Sequence, residues 1–234
     1  MCRLVSQILA LLFCLSAGEA RAGAWPREEG QVFIAVSQTM STGARTVLEA
    51  VQDVRSYSSL YAEYGLTPEI TAGLDAGFAR GDQDEASAWN LFLRRPVRAW
   101  ENGHRVAASL GIGQLTEPEY GRQWRIKPGM SWGKGFESRW GNGWAGVEAS
   151  AAYRFASKDF GYKADFTVGL KPSENWMGIM QVQTGRYGDD DPIIRLAPSV
   201  VRKFGERIHI QLGFIGSVAG DDSMGVKFGT WFTF

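Results

Sequence analysis

Glu69-Ile-Thr-Ala-Gly-Leu-Asp-Ala-Gly-Phe-Ala79 reads with a period of two. Ile70, Ala72, Leu74, Ala76 and Phe78 fall on one side of an extended chain. Thr71, Gly73, Asp75 and Gly77 fall on the other. Successive side chains of a strand point to opposite faces, so this stretch predicts a strand with one apolar face and one small or charged face. A helix would need its apolar residues three and four apart, and they are not.

The same period recurs along the chain. Val106, Ala108, Leu110 and Ile112 alternate with Arg105, Ala107, Ser109 and Gly111. Tyr162, Ala164, Phe166, Val168 and Leu170 alternate with Lys163, Asp165, Thr167 and Gly169. Ile208, Ile210, Leu212 and Phe214 alternate with His209, Gln211 and Gly213. With weaker segments included, twelve strands are expected, near 31–39, 56–64, 69–79, 87–95, 104–114, 123–132, 143–155, 160–170, 176–187, 193–204, 207–216 and 225–234. Ten or fourteen are the other even counts compatible with the pattern, because Thr42 to Ser56 and the ninth strand are poorly patterned.

Segments of about ten residues with this alternation suit an all-β, antiparallel, up-and-down transmembrane β-barrel, one face on lipid and the other on the lumen. The rival is a water-soluble sandwich or lipocalin-like barrel, whose apolar faces would point into a core. Connections support the membrane form. Gly65-Leu-Thr-Pro68, Lys171-Pro-Ser-Glu-Asn175 and Gly205-Glu-Arg207 read as tight turns on one side. Acidic loops, Gly81-Asp-Gln-Asp-Glu85, Gly188-Asp-Asp-Asp191 and Gly220-Asp-Asp222, read as the other side. The Gly133 to Asn142 stretch is expected to be a long connection, an exception on the short-turn side.

The first 24 residues read as a secretory signal, leaving 25–234 as the barrel. Arg3 gives a positive start, and Ile8 to Leu15 an apolar run too short to span a bilayer. Ala20-Arg-Ala22 and Ala22-Gly-Ala24 both offer small-x-small cleavage sites; we expect cleavage before Trp25, with Gly23 as the alternative first residue. A lipoprotein at Cys14 is disfavoured by the bulky Phe13 before it. Both cysteines, Cys2 and Cys14, lie in this segment, which excludes a disulfide framework in the exported chain. Charges balance at 25 basic and 25 acidic residues. That argues against a nucleic-acid partner.

The terminal stretch Gly225-Val-Lys-Phe-Gly-Thr-Trp-Phe-Thr-Phe234 resembles the last strand of Gram-negative outer-membrane proteins, which ends in Phe with apolar residues at alternate positions. Phe228, Phe232 and Phe234 fit that row. Gly23 to Gly30, Leu60 to Pro68 and Leu196 to Ser199 look like an uncharacterised group of proteobacterial outer-membrane barrels. The resemblance implies a bacterial outer-membrane location, lipid and lipopolysaccharide as surroundings, and insertion by the barrel-assembly machinery. It implies no reaction.

The strand phases point Arg94, Arg105, Arg125, Lys127, Arg154, Lys163, Arg195, Lys203 and Lys227 inward. The inward acids Glu63, Asp75, Glu148 and Asp165 are fewer. A cation facing lipid at mid-depth costs about 2–4 kcal/mol, which is the physical reason to place these charges inside. A basic lumen attracts anions, so a porin-like channel or transporter for small anionic solutes is the first reading. Inward Phe33, Phe92, Trp144 and Trp231 favour instead a narrow or filled interior, and with it a structural or adhesive barrel. The third reading is a lipid hydrolase. The outer-membrane phospholipase family places a Ser-His-Asn arrangement on its lipid side, but neither His104 nor His209 has a serine two residues away. No catalytic residue, metal or cofactor is therefore assigned, and the protein is read as non-enzymatic. The clusters Asp189 to Asp191 and Asp221-Asp222 offer hard oxygen ligands, though without the spacing of a Ca²⁺ loop. Trp25, Trp89, Trp100, Trp124, Trp132, Trp140 and Trp176 are expected at the membrane interfaces.

Overall fold

A computed structural model describes residues 23–43, 54–81, 85–117, 120–187 and 191–234. The alternating segments become strands β1 (Val32–Gly43), β2 (Arg55–Thr67), β3 (Ile70–Arg80), β4 (Glu85–Ala99), β5 (His104–Glu117) and β6 (Gly121–Ser138). These are followed by β7 (Gly141–Arg154), β8 (Asp159–Ser173), β9 (Trp176–Tyr187), β10 (Ile193–Leu196), β11 (Ser199–Phe204), β12 (Ile208–Ala219) and β13 (Ser223–Thr233). Each pairs antiparallel with its neighbours, and β13 pairs with β1 from Phe33↔Thr233 to Gly43↔Ser223. Mutual bonds between Val32 and Phe234 finish the seam, at 3.0 and 2.9 Å. Closure leaves no sheet edge, which is what a backbone in hydrocarbon requires.

β10 and β11 are one stave interrupted at Ala197-Pro198. Both lie between β9 and β12. Pro198 has no N–H to give the ladder. The ladder nevertheless continues across the break: the Ala197 N–H bonds the Gln181 carbonyl, and the Phe214 N–H bonds the Pro198 carbonyl. The barrel therefore has twelve staves, the expected number.

The faces decide between the two rival folds. Leu91, Leu93, Leu110, Ile112, Leu212 and Phe228 are each more than half exposed on the outer wall. Glu63, Arg94 and Asn90 lie inside, at 3%, 7% and 3%. A polar interior under an apolar exterior is the arrangement of a membrane barrel and the inverse of a soluble core.

Several strands exceed the 9–11 residues needed to cross a bilayer, β6 most of all with 18. That length corrects one expectation. Gly133 to Asn142 is not a long connection. β6 runs to Ser138 and β7 starts at Gly141, so only Arg139 and Trp140 turn the chain. Gly141 takes φ 118°, a left-handed conformation that favours glycine. Gly65 likewise lies within β2 rather than in a turn, its Cα face against the Glu28 carbonyl. Thr42 to Ser56 falls partly outside the described residues, as do parts of the acidic loops at 82–84 and 188–190.

β1 begins and β13 ends at the same rim, termed here the terminal rim, with the turns after β2, β4, β6, β8 and β11. The opposite loop rim carries the remaining connections. Trp100, Trp140 and Trp176 ring the terminal rim on the outside, and Trp89 meets Trp124 edge to face on the β4 and β6 ends at the loop rim. These belts suit the two interfaces of a bilayer. Trp25 is the exception. It is not at an interface; it sits inside, its ring over Gly133.

Candidate functional site

The lumen divides into two halves of different character. At the terminal rim it is filled. The chain from Gly23 to Gln31 enters the barrel before β1 begins, and Ala24 and Arg27 are buried there. The Arg27 Nε donates to Glu63 Oε2 at 2.5 Å, and the Arg27 backbone N–H donates to Thr71 Oγ1 at 3.1 Å. Arg94 reaches the other oxygen of Glu63, and the Tyr61 hydroxyl donates to that same Oε1 at 2.6 Å. One buried carboxylate thus holds two guanidinium groups and a phenol. Taking such charges out of water is costly, and it is tolerated because each finds a partner of opposite sign. Phe33 and Tyr61 meet edge to face, Tyr61 stacks with Phe92, and Phe33 meets Trp231.

Inward glycines make room for these rings. Gly73 lies directly across from Phe92 and Gly169 across from Trp144. A Cβ at either glycine would fall within 2.2 Å of the opposing ring. Gly133 also carries a ring, but its ladder partners are Gly146 and Arg105. The ring on it is Trp25, from outside the sheet.

Further toward the loop rim the interior is hollow. Lys127 lies 3.5 Å from Asp75, and Lys163 lies 2.7 Å from Asp165. Though inward, the Lys163 and Asp75 side chains are 44% and 42% exposed, against 2% for Glu63. They face solvent space within the barrel. Arg125 and Lys163 act electrostatically on Lys127, and Lys163 and Asp165 act on Lys227. Lys127, Lys163 and Lys227 thus gather beside Asp75 and Asp165, with Arg125 next to Lys127. A cavity of about 300 Å³ lies between the halves, with Gln181, Ser199, Gln211, Lys227 and Glu148 among its walls.

The other inward cations serve different ends. Arg94 belongs to the filled half. Arg154 is clasped by Asp159 at 2.5 Å and Glu117 at 3.1 Å at the loop rim. Arg195 pairs with Asp221 in the loop before β13. Arg105 lies on the inward row of β5 but is exposed near the terminal rim. Partial burial pushes the Asp221 carboxyl up. Hydrogen bonds from Arg195, Ser217 and Ser223, with the Arg195 charge, outweigh that and hold it below the usual carboxylate range. Asp221 is thereby engaged by a side chain of its own barrel. Asp189 and Asp190 lie outside the described residues.

His104 accepts a hydrogen bond at Nδ1 from the Trp132 indole at 3.1 Å. His209 faces the lumen, tilted against Trp231. Neither histidine bonds a serine among the described residues, and His209 is on the wrong side of the wall for chemistry on membrane lipid. Phe228, Phe232 and Phe234 form an outward row on the closing strand, with Phe232 and Phe234 stacked.

Sequence reasoning missed the entry of 23–31 into the lumen and the pairing of Arg154 with Glu117 and Asp159.

No protein-family model matches the chain, and no curated protein matches it in sequence. Solved structures do match in shape. The KdgM porin superposes with a TM-score of 0.54 at 7% identity, over 86% of this chain and 99% of that one. The NanC porin gives 0.56 at 10% identity, over 85% and 98%. The β domain of the Bordetella autotransporter BrkA gives 0.55 at 10% identity, over 88% and 100%. At such identities the likeness speaks to architecture alone: the chain is a twelve-stranded antiparallel β-barrel of the outer-membrane type.

Proposed function

We propose that the protein is a bacterial outer-membrane channel for small anionic solutes, narrowed at one end by its own N-terminal segment. The observation that carries this reading is the hollow mid-lumen section, where Lys127, Lys163 and Lys227 act on one another beside Asp75 and Asp165. Cations on a confined wall raise the local concentration of anions and favour their passage. The lysine heads are strongly hydrated, flexible point charges, suited to transient contact with a passing anion rather than to tight capture. The shape likeness to two porins agrees with this reading, and one of them, KdgM, has been solved in complex with disordered oligogalacturonate.

Planar-bilayer recording with the purified protein tests the proposal. Under a KCl gradient the reversal potential takes the sign of chloride preference. Lys163→Glu with Lys227→Glu moves it toward potassium. A barrel that inserts but stays electrically silent would overturn the channel reading. The filled terminal half favours the second reading, a closed structural barrel, which predicts that silence. Lipid hydrolysis is not part of the proposal, because His104 is engaged by Trp132 and His209 faces inward.

A further inference from the structure

Gly23 is held more closely than a loose leader-proximal residue needs to be. Its backbone nitrogen donates to Glu148 Oε1 at 2.7 Å. Its carbonyl accepts from Arg94 Nη1 at 2.9 Å and from Ser131 Oγ at 2.8 Å. Those three partners come from β7, β4 and β6, so the residue is gripped from three staves. A Cβ at this position would fall 2.7 Å from Glu148 Oε1 and 3.1 Å from Arg94 Nη1, so a larger residue would have to push both of those side-chain ends aside. Ala24 next to it is 1% exposed. Trp25 then covers Gly133, and Arg27 binds Glu63 and Thr71.

The two carboxylates of this region are served unequally. Glu63 receives two guanidinium groups and a phenol. Glu148 accepts from the Gly23 nitrogen and otherwise lies near the Arg94 guanidinium, which it shares with Glu63. A neutral amide is a weaker counter-group for a carboxylate than an ammonium at the same point. Ala20-Arg-Ala22 ends one residue before Gly23 with the small-x-small spacing of a leader cleavage site.

We propose that the exported chain begins at Gly23, and that its new α-ammonium is the partner of Glu148, locking the N-terminal segment inside the lumen. In the maturation step water adds across the Ala22–Gly23 peptide bond under a leader peptidase. The acyl carbon of Ala22 takes the hydroxyl and leaves as a carboxylate; the Gly23 nitrogen becomes the ammonium. Cleavage two residues later, before Trp25, would remove Gly23 and Ala24. It would leave Glu148, Ser131 and one Arg94 donor facing the lumen without the partners they have here. Sequence spacing alone permits both sites, and the cradle selects the first. The lock does not depend on whether the barrel conducts.

The test uses the full precursor expressed in a Gram-negative host, with the barrel purified from the outer membrane. N-terminal sequencing and intact mass are expected to show Gly23 first. A start at Trp25, or a retained leader, overturns the proposal. The lock is read with 2-pyridinecarboxaldehyde, which modifies α-amines. The folded protein is expected to react at least tenfold more slowly than the same protein heat-unfolded in SDS. Glu148→Gln is expected to bring the folded rate close to the unfolded one. Gly23→Ala, which keeps a small residue after the cleavage site but crowds the cradle, is expected to do the same if Glu148→Gln fails to assemble. Equal rates in folded and unfolded wild type, or a slow rate retained in the variants, would overturn the Glu148 assignment.

Discussion

Replacing Glu63 by Gln removes the negative charge to which both Arg27 and Arg94 bond in the filled half of the lumen. The cost follows from the contacts. Glu63 accepts one charged hydrogen bond from Arg27, one from Arg94 and a neutral one from Tyr61. Charged hydrogen bonds contribute about 1.5–3 kcal/mol each and neutral ones about 1 kcal/mol. The lower end of that range gives about 4 kcal/mol. It agrees with the roughly 3–5 kcal/mol expected when one partner of a buried ion pair is removed. No large discount for solvent applies, since the side chains of Glu63, Arg94 and Arg27 are 2%, 7% and 8% exposed. Equilibrium urea unfolding in lipid vesicles, followed by tryptophan fluorescence, measures the difference. A companion variant, Glu63→Met with Arg27→Met and Arg94→Met, removes charge and counter-charges together and is expected to recover most of the loss. A cost for Glu63→Gln under about 1 kcal/mol would refute the reasoning, because that is the worth of an exposed pair in open water.

Leu110→Arg on the outer wall is expected to cost about 2–4 kcal/mol in the same unfolding assay, whereas Thr167→Arg on the inner wall costs less; equal costs would contradict the assignment of faces. Gly133→Leu places side-chain atoms where the Trp25 ring lies, 2.3 Å from a Cβ, so it is expected to expel the N-terminal segment and raise bilayer conductance while twelve-stave closure survives. Deleting Phe234 removes the bonds that close β13 against Val32 and the end of the outward aromatic row; fractionation is expected to show the chain stalled before the outer membrane. The Arg195–Asp221 contact depends on an ionised carboxyl whose folded pKa is depressed. Its contribution is fully present above the unfolded value near 3.9 and is lost as pH falls from there through the folded value. Asp221→Asn is therefore expected to lower stability at neutral pH by the small contribution of a part-exposed pair, and to flatten the acid limb below about pH 4 by the same amount, since the wild type has lost that contribution there.

The amino-acid sequence by itself determined the faces and pointed to twelve staves, with ten and fourteen still open. Alternation at Ile70–Phe78 or Ile208–Phe214 is a local property, because the pleat sends neighbouring side chains to opposite sides whatever the rest of the chain does. It placed Lys127, Lys163 and Lys227 on the inner wall without any knowledge of their neighbours. Only the tertiary structure decided which of those charges meet and what fills the barrel. Arg94, Glu63 and Arg27 come together because closure and stagger bring distant staves to one level, and stagger leaves no mark in the order of residues. The segment from Gly23 to Gln31 has no period at all, so nothing in it signals a strand, a wall or a plug. Its place is set by long-range contacts alone: a cradle beside Glu148, a bare Gly133 under Trp25, and a carboxylate waiting for Arg27.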